Sequence, residues 1–172
     1  MEHRVLILDG AMGTLIQTRE PTEADFRADR FRDHAIDLKG NNDLLCLTQP
    51  DLIRSLHEEY FAAGADLVET NTFAATRIAQ ADYALGDLAY ELNVRAAQLA
   101  KEAAAKHSTG GRRRYVAGAI GPMNRTLSLS PDVNDPGYRA VSWEEVKSAY
   151  EEQVRGLIEG GGDVHLIVTI FD

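Results

Sequence analysis

Residues 165–172 read HLIVTIFD, a short apolar run that follows the glycines Gly160, Gly161 and Gly162. Its length, its β-branched content and its lack of alternation predict a β-strand buried on both faces. Three earlier stretches have the same character: RVLILDG (4–10), ADLVETNTF (65–73) and YVAGAIGP (115–122). Helical spacing fills the intervals between them. In TQPDLIRSLHEEYFAAG (48–64), Leu52, Ile53, Leu56, Tyr60 and Ala63 share a face, Thr48 and Asp51 stand at capping-box spacing, and Gly64 is placed to end the helix. A second stripe is Leu85, Leu88, Leu92, Ala96 and Leu99. The third helix opens on a capping box, Ser142 and Glu145, and carries Val146, Ala149, Tyr150, Val154 and Leu157.

The order β-α-β-α-β-α-β implies right-handed crossovers and a parallel sheet. Four strands with three helices are half of a (β/α)8 barrel, which needs about 250 residues. A small open parallel sheet fits the pattern equally well. Long loops follow the first strand (11–47) and the third (123–141), and function concentrates on such loops.

With 172 residues, the chain fits one domain. Its 27 acidic and 18 basic side chains give a formal charge of −9, which argues against a nucleic-acid or anionic-membrane partner. No apolar run approaches the roughly 18 residues of a membrane span, and the apolar start is too short for a signal peptide. A single cysteine, Cys46, excludes an intrachain disulfide and makes a reducing, cytoplasmic setting the default expectation.

The polar groups gather at the carboxyl ends of the expected strands, where parallel α/β proteins bind ligands. LDGAMGT (8–14) sets Asp9, Gly10, Gly13 and Thr14 after the first strand, without the lysine of a phosphate loop. Asp9 is either the cap of a tight turn or a carboxylate for a substrate ammonium. VETNTF (68–73) ends the second strand with Glu69, Thr70, Asn71 and Thr72, whose polar groups need partners from a substrate or from neighbouring loops. Residues 121–138 (GPMNRTLSLSPDVNDPGY) specify a chain of turns, and Asp132, Asn134 and Asp135 lack calcium-loop spacing. The histidines at 3, 34, 57, 107 and 165 form no ligand pair, Cys46 reads as a small buried apolar residue, and Arg112 to Arg114 read as a solvated turn. Residues alone stop at a half-barrel with a polar strand-end face.

Taken in order, LILDGAMGT, NDLLCLTQP, GADLVETNTF, ADY, VAGAIGPMNRTLSLSPDVNDPGYRAV and TIFD closely resemble the N-terminal homocysteine-binding domain of cobalamin-dependent methionine synthase, over nearly the whole chain (1–172). The resemblance implies a parallel-stranded TIM-type (β/α)8 barrel, of which this chain supplies the first four strands. It implies homocysteine as substrate and zinc as the metal that presents its sulfur as a thiolate. Methylcobalamin is then the methyl donor, recharged by 5-methyltetrahydrofolate, with folate and cobalamin domains as partners. Asp9 is expected to hold the substrate ammonium, the turn from Gly10 through Gly13 to Thr14 to offer backbone donors to its carboxylate, and Asn71 and Thr72 to line the pocket.

Two departures stand against the resemblance. The family's three zinc cysteines lie in the second half of the barrel; none matches Cys46, so this chain by itself is expected to be inactive and to hold no zinc or cobalamin tightly. Val168 stands where the family's fourth strand carries a glutamate that pairs with the acid matching Asp9. The alternatives are a truncated, inactive paralogue that self-associates through its open sheet edges, and a homocysteine methyltransferase using betaine or S-methylmethionine.

Overall fold

The computed structural model describes residues 4–171. Helices α1 (Met12–Thr18), α2 (Glu23–Arg27), α3 (Leu45–Thr48) and α4 (Pro50–Ala63) precede strand β1 (Leu67–Glu69). Then come α5 (Arg77–Gln80), α6 (Ala89–His107), β2 (Tyr115–Ile120), α7 (Trp143–Glu159) and β3 (Val164–Ile167). The strands form one open parallel sheet in the order β1-β2-β3, with Val68 opposite Val116 and Ala119 opposite Leu166. The architecture is therefore the expected α/β half-barrel, with corrections in detail.

The first expected strand is reduced to one parallel bridge, Leu8 to Leu67. The Ile7 carbonyl accepts from the Asp66 and Leu67 N–H groups, and the Asp9 N–H donates to the Leu67 carbonyl. Only one side of this segment has a partner, and Val5, Ile7 and Leu8 remain exposed, so regular strand geometry is not enforced. Burial on both faces holds for β2, whereas β3 is largely exposed. The expected long loop 11–47 contains α1 and α2, and α2 has a complete capping box between Thr22 and Asp25. The proposed box of Thr48 and Asp51 does not form. Pro50 takes the first helical position of α4, Gln49 caps it through backbone only, and Thr48 closes α3 instead. Ser142 and Glu145 do cap α7 reciprocally, and Gly64 ends α4 in the left-handed conformation.

Helices α4, α6 and α7 pack side by side on one face of the sheet. The main core gathers Ile16, Phe26, Leu44, Cys46, Ile53, Leu56 and Leu85 with the α6 stripe Leu92, Ala96 and Leu99. Cys46 is buried there, as its sequence context indicates.

A buried carboxylate fixes the amino-terminal end of the sheet. Asp66 is fully buried and accepts a two-pronged bond from Arg4 (2.8 Å to each oxygen), a bond from Arg112 Nε (2.9 Å) and one from the Ile7 N–H (3.0 Å). The Arg4 hydrogen bonds, with those of Ile7 and Arg112, hold its pKa well below the usual carboxylate range. Asp163 repeats the device one crossover later, accepting from Lys101 and from the Val116 N–H (2.9 Å). The Arg114 side chain is only 9% exposed, and its guanidinium donates to the Ala65 and Gly64 carbonyls beyond the end of α4. Arg112 and Arg114 are thus structural groups and not a solvated turn: the carbonyls and the carboxylate at the helix end and strand start need donors.

Two stability effects follow. Asp66→Asn should cost about 3 kcal/mol, the low end for breaking a buried ion pair, because Arg4 and Arg112 are half-exposed and can return to water; urea denaturation measures it. His57 in α4 is fully buried and neither ring nitrogen has a partner, so burial lowers its pKa to about 4. The unfolded chain then binds the proton more readily, and stability falls as pH drops from about 6.5 toward 4. The share due to His57 between pH 7 and pH 5 is about 2 kcal/mol. His57→Leu should remove that share from the pH 7 to pH 5 difference in urea midpoint; an unchanged difference would refute the assignment.

Candidate functional site

The carboxyl ends of the strands carry unpaired acids where the other end carries paired ones. The Asp9 Oδ1 accepts the Glu69 backbone N–H at 2.9 Å, which locks the end of the first segment to the end of β1. The Asp9 Oδ2 is buried and without a partner. Burial, reinforced by the neighbouring Glu69 charge, pushes the Asp9 pKa up to about 7 against the opposing pull of the Glu69 N–H. Burial also raises the Glu69 pKa.

Beside this pair opens a cleft of about 380 Å³, lined by Gly13, Asn42, Asp43, Glu69, Asn71 and Thr72 among others. Asp43 is buried, accepts the Ala74 N–H at 3.3 Å, and has its pKa pushed up to about 6 by burial. Among the described residues, no Lys, Arg or His is bonded to Asp9, Glu69 or Asp43. A desolvated acid cluster of this kind favours a cationic ligand.

The loop after β1 is held from several sides. The Thr72 hydroxyl donates to the Ala119 carbonyl (2.8 Å), so the Thr70 hydroxyl donates to Thr72 (2.6 Å) while accepting the Ala119 N–H (2.9 Å). The Gln153 amide of α7 donates to the Thr72 carbonyl at 2.9 Å. The Asn71 amide donates to the Asn42 carbonyl at 2.7 Å, and the Asn71 carbonyl lies 3.6 Å from the Cys46 sulfur. Gln80 donates to the Ala74 carbonyl at 3.1 Å. At Gly121 a β-carbon would stand 2.2 Å from the Phe73 carbonyl oxygen, so only glycine lets β2 leave the sheet beneath this loop.

Of the residues singled out from sequence, Gly13, Asn71 and Thr72 line the cleft and Asp9 adjoins it through Glu69. Gly13 and Thr14 belong to α1 and not to a free turn, and Gly10 and Thr14 are exposed outside the lining. Thr72 spends its hydroxyl on the strands, so it shapes the cleft without offering a free donor. Val168 is half-buried just past β3, its N–H donating to the Ile120 carbonyl at 2.9 Å. Asp172 and His3 lie outside the described residues. Asp43 was not selected from sequence; its buried position emerges only once the short helical turn Asn42–Leu44 is placed beneath the loop after β1.

The residues present do not fit zinc. Among those described, no group of three or more His, Cys, Asp or Glu could hold a metal ion. The Cys46 thiol is buried, and burial pushes its pKa up, away from the thiolate that a metal requires. No described helix is long and apolar enough to cross a membrane.

Solved structures of the Escherichia coli homocysteine methyltransferase MmuM share this fold. The metallated form is 24% identical and matches with a TM-score of 0.72 over 98% of this chain and 55% of that one. The oxidised form matches with a TM-score of 0.68 at 24% identity, over 95% and 52% of the two chains. The chain thus spans about half the length of the solved enzyme. The homocysteine S-methyltransferase family model matches residues 6–172, so the chain belongs to the homocysteine S-methyltransferase family.

Proposed function

We propose that this chain forms the substrate-ammonium side of a homocysteine methyltransferase. The observation that carries the reading is the Asp9 Oδ2, buried and unpartnered beside the uncompensated Glu69 carboxylate. An α-ammonium group placed between them supplies the missing donor and the missing charge. Gly10, just before α1, and Gly13 and Thr14, in its first turn, would present backbone N–H groups to the substrate carboxylate. Asn71 and Thr72 would bound the side chain of homocysteine, held stiff by their own hydrogen bonds.

The parent reaction we infer is methylation of the homocysteine sulfur to methionine. The run from Asn124 to Pro136 supports methionine synthase, with methylcobalamin as donor and folate and cobalamin domains as partners. Zinc activation of the sulfur would need residues other than those described. In the sheet order, Val168 follows β3 and Glu69 ends β1, with β2 between them. Glu69, next to Asp9, then acts as the second carboxylate of the pair.

Calorimetry with homocysteine and with its deaminated analogue 4-mercaptobutanoate tests the reading. Homocysteine should bind the protein and the analogue should not. Asp9→Asn should weaken homocysteine by about 1.5–3 kcal/mol, roughly 10- to 150-fold, as expected for a lost charge-assisted bond. Equal binding of the two compounds would reject the ammonium site. The same variant should stabilise the ligand-free protein at pH 8. A carboxyl whose folded pKa is raised contributes stability at low pH and loses it as pH climbs from about 4 through 7. Removing that charge should therefore raise the urea midpoint at pH 8 and leave it unchanged at pH 4.

A further inference from the structure

Helix α7 sends two consecutive side chains toward the segment after β1. Glu152 meets Arg77 of α5 near the surface, at 3.1 and 2.9 Å. Gln153 points inward, is fully buried, and its amide donates to the Thr72 carbonyl at 2.9 Å. Two features set this last bond apart. The Thr72 carbonyl already accepts the Ala75 N–H at 3.2 Å, so it does not need a second donor. The Gln153 Oε1 is buried, and no described group donates to it. The side chain thus adds a bond to a satisfied carbonyl and leaves an acceptor of its own unmatched. An apolar side chain of similar size would leave neither group wanting.

What the bond secures is the place of the turn 72–75. Thr72, Phe73 and Ala74 line the cleft. Asn93 of α6 grips the far end of the turn, donating to the Ala75 carbonyl at 2.7 Å, and Gln153 grips the near end. Between them the Ala74 N–H reaches the Asp43 carboxylate at 3.3 Å, a long bond that a small shift of the turn would break.

We infer that Gln153 is a positioning residue: from α7 it fixes the Thr72 carbonyl and so keeps the Ala74 N–H on Asp43 in the wall of the cleft. Its effect on homocysteine rests on the reading of this cleft as the substrate site. Its hold on the turn does not.

Gln153→Met tests the inference, with Glu152→Ala as the control on the same helix. The first readout is nuclear magnetic resonance without ligand. The Ala74 amide proton is bonded to a carboxyl that titrates at about pH 6, so its chemical shift should follow that titration. Cys46 and Tyr83, whose charges couple to Asp43, both have raised pKa values and keep their protons there. Asp43→Asn should abolish the titration, which separates Asp43 from Asp9 and Glu69. In Gln153→Met the Ala74 shift should lose its pH dependence and the Ala74 amide should exchange about tenfold faster. The urea midpoint should stay the same or rise. Homocysteine should bind about fivefold more weakly, the size of one hydrogen bond. Glu152→Ala should leave the Ala74 signal and the affinity unchanged. A Gln153→Met protein that keeps the Ala74 titration would overturn the proposal. So would one that loses urea midpoint and amide protection throughout, the mark of a core residue. If the unmodified protein does not bind homocysteine while the Ala74 signal behaves as stated, the positioning role stands and the ammonium site falls.

Discussion

The Asp66 carboxylate sets the register on which everything else in the sheet depends. It is fully buried, yet three parts of the chain converge on it: Arg4 and Ile7 from the first segment, β1 through its own backbone, and Arg112 from the approach to β2. A buried acid with that many donors tolerates only one arrangement, since a shift of one residue would strand the charge. Asp163 applies the same constraint between β2 and β3. Both follow a glycine turn and precede a strand, so the repeating βα unit carries its own alignment device.

The carboxyl ends of the same strands invert this logic. There Asp9, Glu69 and Asp43 are desolvated without a cation, and burial raises the pKa of each. A fold selected only for stability would neutralise them, as it neutralises Asp66. Their cost is tolerable because the surrounding polar groups are satisfied: Thr70, Thr72, Asn71 and Gln80 bind one another's strands and loops and keep the cleft from collapsing onto its acids. Stability and binding are thus separated along the strand axis, a division that parallel βα sheets favour.

Much of this was legible in the sequence, and the reasons for the remainder are physical. The β2 run is apolar throughout because both its faces are covered, and Ser142 with Glu145 announced α7 because both groups of a capping box lie within one turn. The edge segment 4–10 looks like β2 in composition but has a partner on one side only, and composition does not encode the number of neighbours. Pro50 overruled the Thr48 and Asp51 spacing, since a proline at the first helical position fixes the helix start by itself. Asp9 could be picked out because it ends an apolar run. Asp43 could not, because its burial is decided by the loop carrying Phe73 and Ala74, some thirty residues away, which folds over it. Arg112 and Arg114 passed for solvated charge because their acceptors, Asp66 and the Gly64 carbonyl, are equally remote in sequence.

The valine at 168 gains meaning from this layout. Val168 lies half-buried just past β3, with β2 between it and β1. Asp9 and Glu69 instead occupy adjacent segments joined by the 2.9 Å bond from the Glu69 N–H and by the bridge at Leu67. Their spacing is therefore fixed by backbone contacts and requires nothing from β3. An acid pair built this way keeps its geometry whatever residue stands at 168.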